Sequence, residues 1–179
     1  MSNSLAVFLS HIKHLVVLGM GNELRGDDAV GLVVVRDLKK FSGANLSVFD
    51  GQTTPEMFIK PICEIKPSHV LIVDAAELQA EPGKWRLLSK DEIDTGLFTT
   101  HAIPATDIAK EIEQRCGAQV GFLGIQPKSR DVSLSLSSEC HKAAQNVAME
   151  ITVLISKKKK VVQRTGFEHQ STGRTMVDH

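Results

Sequence analysis

Leu15-Val16-Val17-Leu18-Gly19-Met20-Gly21-Asn22-Glu23-Leu24-Arg25-Gly26-Asp27-Asp28-Ala29-Val30-Gly31 carries the transition that decides the fold. Its first four residues are apolar, the composition of a buried strand. Glycines then punctuate a loop. From Asp28 to Lys40 the apolar residues Val30, Val33, Val34 and Leu38 recur at helical spacing, with Arg36, Lys39 and Lys40 opposite. A strand therefore becomes a helix across two adjacent carboxylates, at the carboxyl edge of the expected sheet. In open α/β folds that edge is where ligands bind. One acid at a helix start is an ordinary cap. Two leave one free to face a cation or a substrate.

The alternation continues outward. Leu46–Phe49 reads as a second strand ending at Asp50-Gly51, and Glu56–Ile65 as a helix with Pro55 in its first turn. Val70-Leu71-Ile72-Val73 is apolar throughout, as a strand covered on both faces should be, and leads into Asp74. Pro82-Gly83 marks a turn before a strand at Trp85–Leu88. That connection is too short for a helical crossover, so the strand is antiparallel. A Thr/Pro loop, 99–104, precedes a helix over 105–115. A strand follows over 119–123, and Ser137 or Ser138 caps a last helix ending near Ile155. At the amino end, Ser4 is placed to cap a short helix carrying Leu5, Leu9 and Ile12. The order argues for one α/β domain in three layers, spanning 1–156. Its twisted sheet has about five strands, mostly parallel with one antiparallel, and helices on both faces. Residues 157–179 open with four lysines, lack a sustained period and read as a mobile basic tail.

Composition narrows the function classes. Of 179 residues, Lys plus Arg and Asp plus Glu number 21 each, so the formal net charge is zero. That removes the footprint of a general nucleic-acid binder. Aromatics are 4% and tyrosine is absent, which argues against base-stacking platforms. No apolar run approaches the ~20 residues of a membrane helix. Cys63, Cys116 and Cys140 are scattered and lack a CxxC pairing. They read as buried structural thiols of a reduced, cytoplasmic protein.

The acids at strand ends carry the candidate chemistry. Asp27-Asp28, Asp50 and Asp74 converge on one rim if the first three strands are parallel. His101 joins them if its loop folds back. Two carboxylates and an imidazole suit zinc, nickel or manganese. Each residue has a plainer reading. Asp27 or Asp28 can cap the helix, Asp50 can form an Asx-turn before Gly51, and His101 can be a hydrogen-bonded surface residue. Asp74, following an apolar strand, needs a partner if buried. A dinucleotide fingerprint fails at Leu24, and acids beside a pyrophosphate would repel it. There is no Walker lysine, no G-x-S-x-G elbow and no HExxH helix.

Five motifs in order resemble the hydrogenase-maturation endopeptidases, which trim the C-terminal extension of [NiFe]-hydrogenase large subunits. They are Gly19-x-Gly21-Asn22-x-Leu24-x-x-Asp27-Asp28-x-x-Gly31, Asp50-Gly51-x-Thr53, Leu71-Ile72-Val73-Asp74-Ala75, Thr99-Thr100-His101-x-x-Pro104, and Phe122-Leu123-Gly124-Ile125-Gln126-Pro127. The last resembles the hydrogenase 3-type subgroup. Gln52 stands where the family usually has glycine. The resemblance implies metal ligands at Asp28, Asp74 and His101, with Asp28 and Asp74 catalytic and Asp27 left to loop structure or capping. It implies a substrate-binding rim of Gly21, Asn22, Asp50, Gly51 and Thr53. The implied partner is the large-subunit precursor, with no nucleic acid and no membrane insertion. Nickel arrives on the substrate, and other divalent metals can occupy the site. Recognition of nickel, with a carboxylate assisting water attack, is the preferred scheme over metal-activated water. The competing readings are a non-catalytic nickel chaperone of hydrogenase assembly and a nucleotide-binding α/β domain.

Overall fold

Each apolar quartet forms a strand, and each of the three central strands runs two residues past its quartet or expected end. The computed structural model describes residues 2–94 and 104–168. In chain order the elements are α1 (Ser2–Phe8), β1 (Leu15–Met20), a 3-10 turn (Gly26–Ala29) entering α2 (Val30–Lys39), β2 (Leu46–Gln52), a second 3-10 turn (Pro55–Phe58) entering α3 (Ile59–Ile65), β3 (His69–Ala75), β4 (Trp85–Leu88), α4 (Lys90–Asp94), α5 (Ala105–Cys116), β5 (Gln119–Ile125) and α6 (Ser138–Glu168). Strand order is β2-β1-β3-β5-β4. β1 pairs in parallel with β2 and β3, and β3 with β5. The edge strand β4 runs antiparallel to β5, as its short connection requires.

Side-chain alternation sorts the core into two halves. Leu15, Val17, Leu71, Val73, Leu123 and Ile125 meet α1, α2 and α6. Val16, Leu18, Met20, Val70, Ile72 and Phe122 meet α3, α4 and α5. α2 has only ten residues, a marginal length in isolation. It is held by burying Val30, Leu32, Val34, Val35 and Leu38, each contributing about 1.5–3 kcal/mol.

The chain leaves β1 for β2 on one side, then crosses to β3 on the other. This makes the carboxyl ends of β1 and β3 the switch point of the sheet. The helix start presses hard on that point. A Cβ at Gly31 would overlap the Val73 carbonyl oxygen and lie 2.5 Å from that of Met20. Gly21, at φ +139°, could take a Cβ only by overlapping the Asp28 carbonyl oxygen. Gly21 and Gly31 are thus required for backbone to meet backbone.

Four expectations change. Ser4 lies inside α1 rather than capping it, because the helix already starts at Ser2. Asp50 and Asp74 lie within β2 and β3 rather than after them, because the ladder continues: Gly19 pairs with Asp50, and Asp74 with Gly124. α4 is an extra element, too short to show a period, with Ile93 buried. α6 does not stop near Ile155 but continues to Glu168. Lysine is a good helix former, and glycine appears only at 166. The segment 157–168 therefore extends the last helix, and 169–179 lie outside the described residues. Among the described residues no helix is long and apolar enough to cross a membrane.

Candidate functional site

The rim is built where the Asp27-Asp28 turn, the end of β3 and the loop after β5 meet. Asp28 is fully buried. Its Oδ2 accepts the Asn22 backbone N–H at 3.1 Å, and its Oδ1 stands 3.6 Å from Nε of Arg130. Asp74 is equally buried, and its Oδ1 accepts the N–H of Ala75 at 2.8 Å. Alternation along β3 puts Asp74 on the face of Val70 and Ile72, toward α5. His101 belongs to the segment just before α5 and lies outside the described residues, with Thr99 and Thr100.

Asp27 does different work from its neighbour. No side-chain cap forms at the 3-10 turn or at α2, so neither acid caps that helix as the sequence allowed. Asp27 points instead to the loop after β5. Its Oδ2 accepts from the backbone N–H of Lys128 (2.8 Å) and Ser129 (3.3 Å) and from the Ser137 hydroxyl (2.8 Å). Its Oδ1 accepts the Ser137 N–H at 2.6 Å. Burial raises its pKa, but these hydrogen bonds from Ser137, Lys128 and Ser129 outweigh it and hold the carboxyl below its usual value. The Ser137 hydroxyl in turn accepts the Cys140 N–H at 3.3 Å, capping α6. Backbone bonds finish the clasp: Gly26 N–H to Ser133 O at 2.8 Å, and Ser133 N–H to Leu24 O at 3.1 Å. A cleft of about 350 Å³ opens between Asp27 and this loop, lined also by Lys128, Ser129 and Ser137.

The other expected rim residues serve mainly to shape the backbone. Asn22 Oδ1 accepts the Leu24 N–H at 2.9 Å, an Asx-type turn. Asp50 accepts Nε and Nη2 of Arg36 at 3.2 and 3.0 Å, and Arg36 also pairs with Glu23. That ties α2 to β2. Gly51 approaches Leu18 and the Gly19 carbonyl so closely that a Cβ would sit 2.9 Å from each. Gln52 follows at φ +49°, beside a register shift, and its carbonyl accepts the Gly21 N–H at 3.1 Å. The glycine usual at this place has a physical reason here, since only glycine adopts that φ without strain. Thr53 is exposed at the same end.

Gln126, from the strand-end motif, is a brace. It is buried, its Oε1 accepts the Leu78 N–H at 2.7 Å, and its Nε2 donates to Glu77 at 2.9 Å and to the Pro127 carbonyl at 3.1 Å. It locks the chain leaving β3 to the chain leaving β5. Arg130 is the rim residue that sequence reading missed, and Ser137, expected as a cap of the last helix, both caps it and bonds Asp27. The one available signal was that a second buried acid needs donors of its own. Of the three cysteines, Cys140 is buried beside the clasp, and burial pushes its thiol up to about 11. Cys63 and Cys116 are half-buried rather than buried as expected, packed at the margin of the α3–α5 half of the core. His14 and His69 lie at the opposite edge of the sheet, where His14 meets Ser47 and His69 meets Ser68, each at 3.0 Å. Among the described residues no three His, Cys, Asp or Glu side chains are grouped to hold a metal.

Fold and rim together define a doubly wound α/β protein with two buried carboxylates, Asp28 and Asp74, at its switch point. The family model described as HycI, hydrogenase maturation protease, matches residues 32–154. The hydrogenase 3 maturation protease of Escherichia coli K12 is 35% identical over 113 residues, covering 63% of this chain and 72% of that protein. The crystal structure of the [NiFe] hydrogenase maturation protease HycI from Thermococcus kodakarensis KOD1 superposes with a TM-score of 0.76 at 25% identity, over 86% of this chain and 99% of that one. The solution structure of the endopeptidase HycI from Escherichia coli gives 0.68 at 31% identity, over 76% and 87%. The chain belongs to the hydrogenase maturation protease family, and its activity is that of a hydrogenase maturation endopeptidase.

Proposed function

We propose that this protein removes the C-terminal extension of a [NiFe]-hydrogenase large-subunit precursor in the cytoplasm, after nickel has been inserted. In this reading Asp28, Asp74 and His101 bind the nickel of the substrate, and so report that insertion is complete. The observation that carries the reading is the pair of fully buried carboxylates at the switch point, in a chain of this family. Carboxylates gathered at one rim are ligands that a divalent cation takes.

The residues then divide the work. Nickel held at the rim fixes the scissile bond next to the acids. A carboxylate, Asp28 or Asp74, takes a proton from water as the oxygen attacks the carbonyl carbon. The C–N bond breaks, and that proton passes to the leaving nitrogen. Asn22, Asp50 and Thr53, the accessible members of the expected rim, contact the extended chain, while Gly21 and Gly51 shape the backbone beneath them. The reading follows both the donor set and the family, and water attack needs no nucleophilic side chain.

The test uses purified precursor, nickel-loaded and nickel-free, incubated with the full chain and analysed by mass spectrometry for loss of the C-terminal peptide. Cleavage only of the loaded precursor is expected. Equal cleavage of both would remove nickel recognition from the account. An intact precursor with nickel retained by this protein would favour the chaperone.

A further inference from the structure

The loop that Asp27 clamps delivers one cation to the other acid. Arg130 sits between two anchors: Lys128 and Ser129 are bonded to Asp27, and Ser133 is bonded to Leu24 and Gly26. Its side chain is only 20% exposed, and Nε lies 3.6 Å from Oδ1 of Asp28, itself 1% exposed at the side chain. The guanidinium is therefore not on a free surface arm. It is held against a buried carboxylate by a loop pinned within three residues on either side. A guanidinium stays charged at any working pH, so Asp28 has a permanent counter-charge.

We propose that Arg130 is a specificity-determining residue: it competes with divalent cations for the Asp28 carboxylate, so that the site disfavours free ions. The inference rests on the reading of Asp28 as a nickel ligand. A free aqueous dication approaching Asp28 meets a fixed positive charge in a poorly solvated place, where repulsion is strong. A metal carried in a precursor arrives partly neutralised by its own ligands, and docking of the whole precursor supplies further binding energy. The same arginine thus separates cargo-borne metal from the free pool.

The test is calorimetric titration of the full chain with nickel chloride, for the wild type, Arg130→Gln and Arg130→Lys, each also combined with Asp28→Asn. Arg130→Gln is expected to bind nickel at least tenfold more tightly, Arg130→Lys within threefold of wild type, and Asp28→Asn to abolish the gain. An arginine that merely braces the loop would give the opposite sign, since its loss would loosen the site and weaken binding. Unchanged or weaker nickel binding by Arg130→Gln overturns the proposal, as does a gain that survives Asp28→Asn. Arg130→Met, which keeps the aliphatic stem, decides the matter where the glutamine variant does not fold. Unchanged affinity beside nickel-dependent precursor cleavage sinks the arginine proposal alone. Nickel-independent cleavage by the wild type sinks the reading on which it rests.

Discussion

Replacing Asp27 with asparagine removes a charge while keeping the shape of the side chain, and its hydrogen bonds set the cost. The carboxylate accepts four of them, three on Oδ2 and one on Oδ1. Asparagine has one acceptor oxygen. If that oxygen takes the place of Oδ2, the new NH2 faces the Ser137 N–H, which lies 2.6 Å from Oδ1 in the wild type. Two donors then oppose each other, and the other three bonds lose their charge assistance. Hydrogen bonds to charged groups contribute about 1.5–3 kcal/mol each, but not additively. The neighbouring cleft admits water to the freed groups. The expected loss is about 3–4 kcal/mol, or roughly 6–16 °C in Tm for a chain of this size. The assay is urea and thermal unfolding of both proteins as a function of pH. Asp27 has its folded-state pKa depressed below 3.8. Its ionisation therefore stabilises the fold fully above about pH 4, and this is lost as pH falls through the lower folded-state value. The gap between wild type and variant should be constant near neutrality and shrink under acid. A loss below about 1 kcal/mol, or a gap that does not narrow with acid, would refute the clamp.

Other consequences are narrower. Gly31→Ala places a methyl against two backbone carbonyls, so it should cost at least the upper end of the ~1–3 kcal/mol of overpacking; an unchanged Tm would contradict the close approach. Gln52→Gly should raise the unfolding free energy by about 0.5 kcal/mol, read as a higher urea midpoint, since relief of the positive φ exceeds the entropy glycine adds to the unfolded chain; a clear loss would show that Gln52 is not strained. Cys140, with its thiol pushed up to about 11, should remain unlabelled by a thiolate-selective reagent at pH 8 in folded protein. Labelling as fast as a free thiol would mean that the start of α6 opens.

The architecture was legible because its strands are covered on both faces. Val70 to Val73 and Leu15 to Leu18 announce central parallel strands, and the short approach to Trp85 announces the antiparallel edge. The lysines at 157–160 suggest an end of order, yet α6 runs through them, since lysine favours helix. At the rim, the convergence of acids could be inferred from strand ends, but the division between Asp27 and Asp28 could not. Asp27 finds Ser137, 110 residues away, and Asp28 finds Arg130 from the same loop. No local pattern encodes a contact of that range. Asp50 illustrates the converse: it reads as a free strand-end acid, yet Arg36, fourteen residues back along the chain, meets it once α2 folds over β2.

The central claim is that the two sunken carboxylates, and not the fold around them, carry the reaction. The most direct measurement is the single-turnover rate of precursor cleavage by Asp28→Asn and Asp74→Asn, with unfolding curves run in parallel. Each variant is expected to remain folded, Asp28→Asn at a cost of up to about 3–5 kcal/mol because Arg130 loses its counter-charge, and to lose at least ~100-fold in rate, the lower end of what a general acid or base contributes. Near-wild-type cleavage by either folded variant would take that carboxylate out of the site.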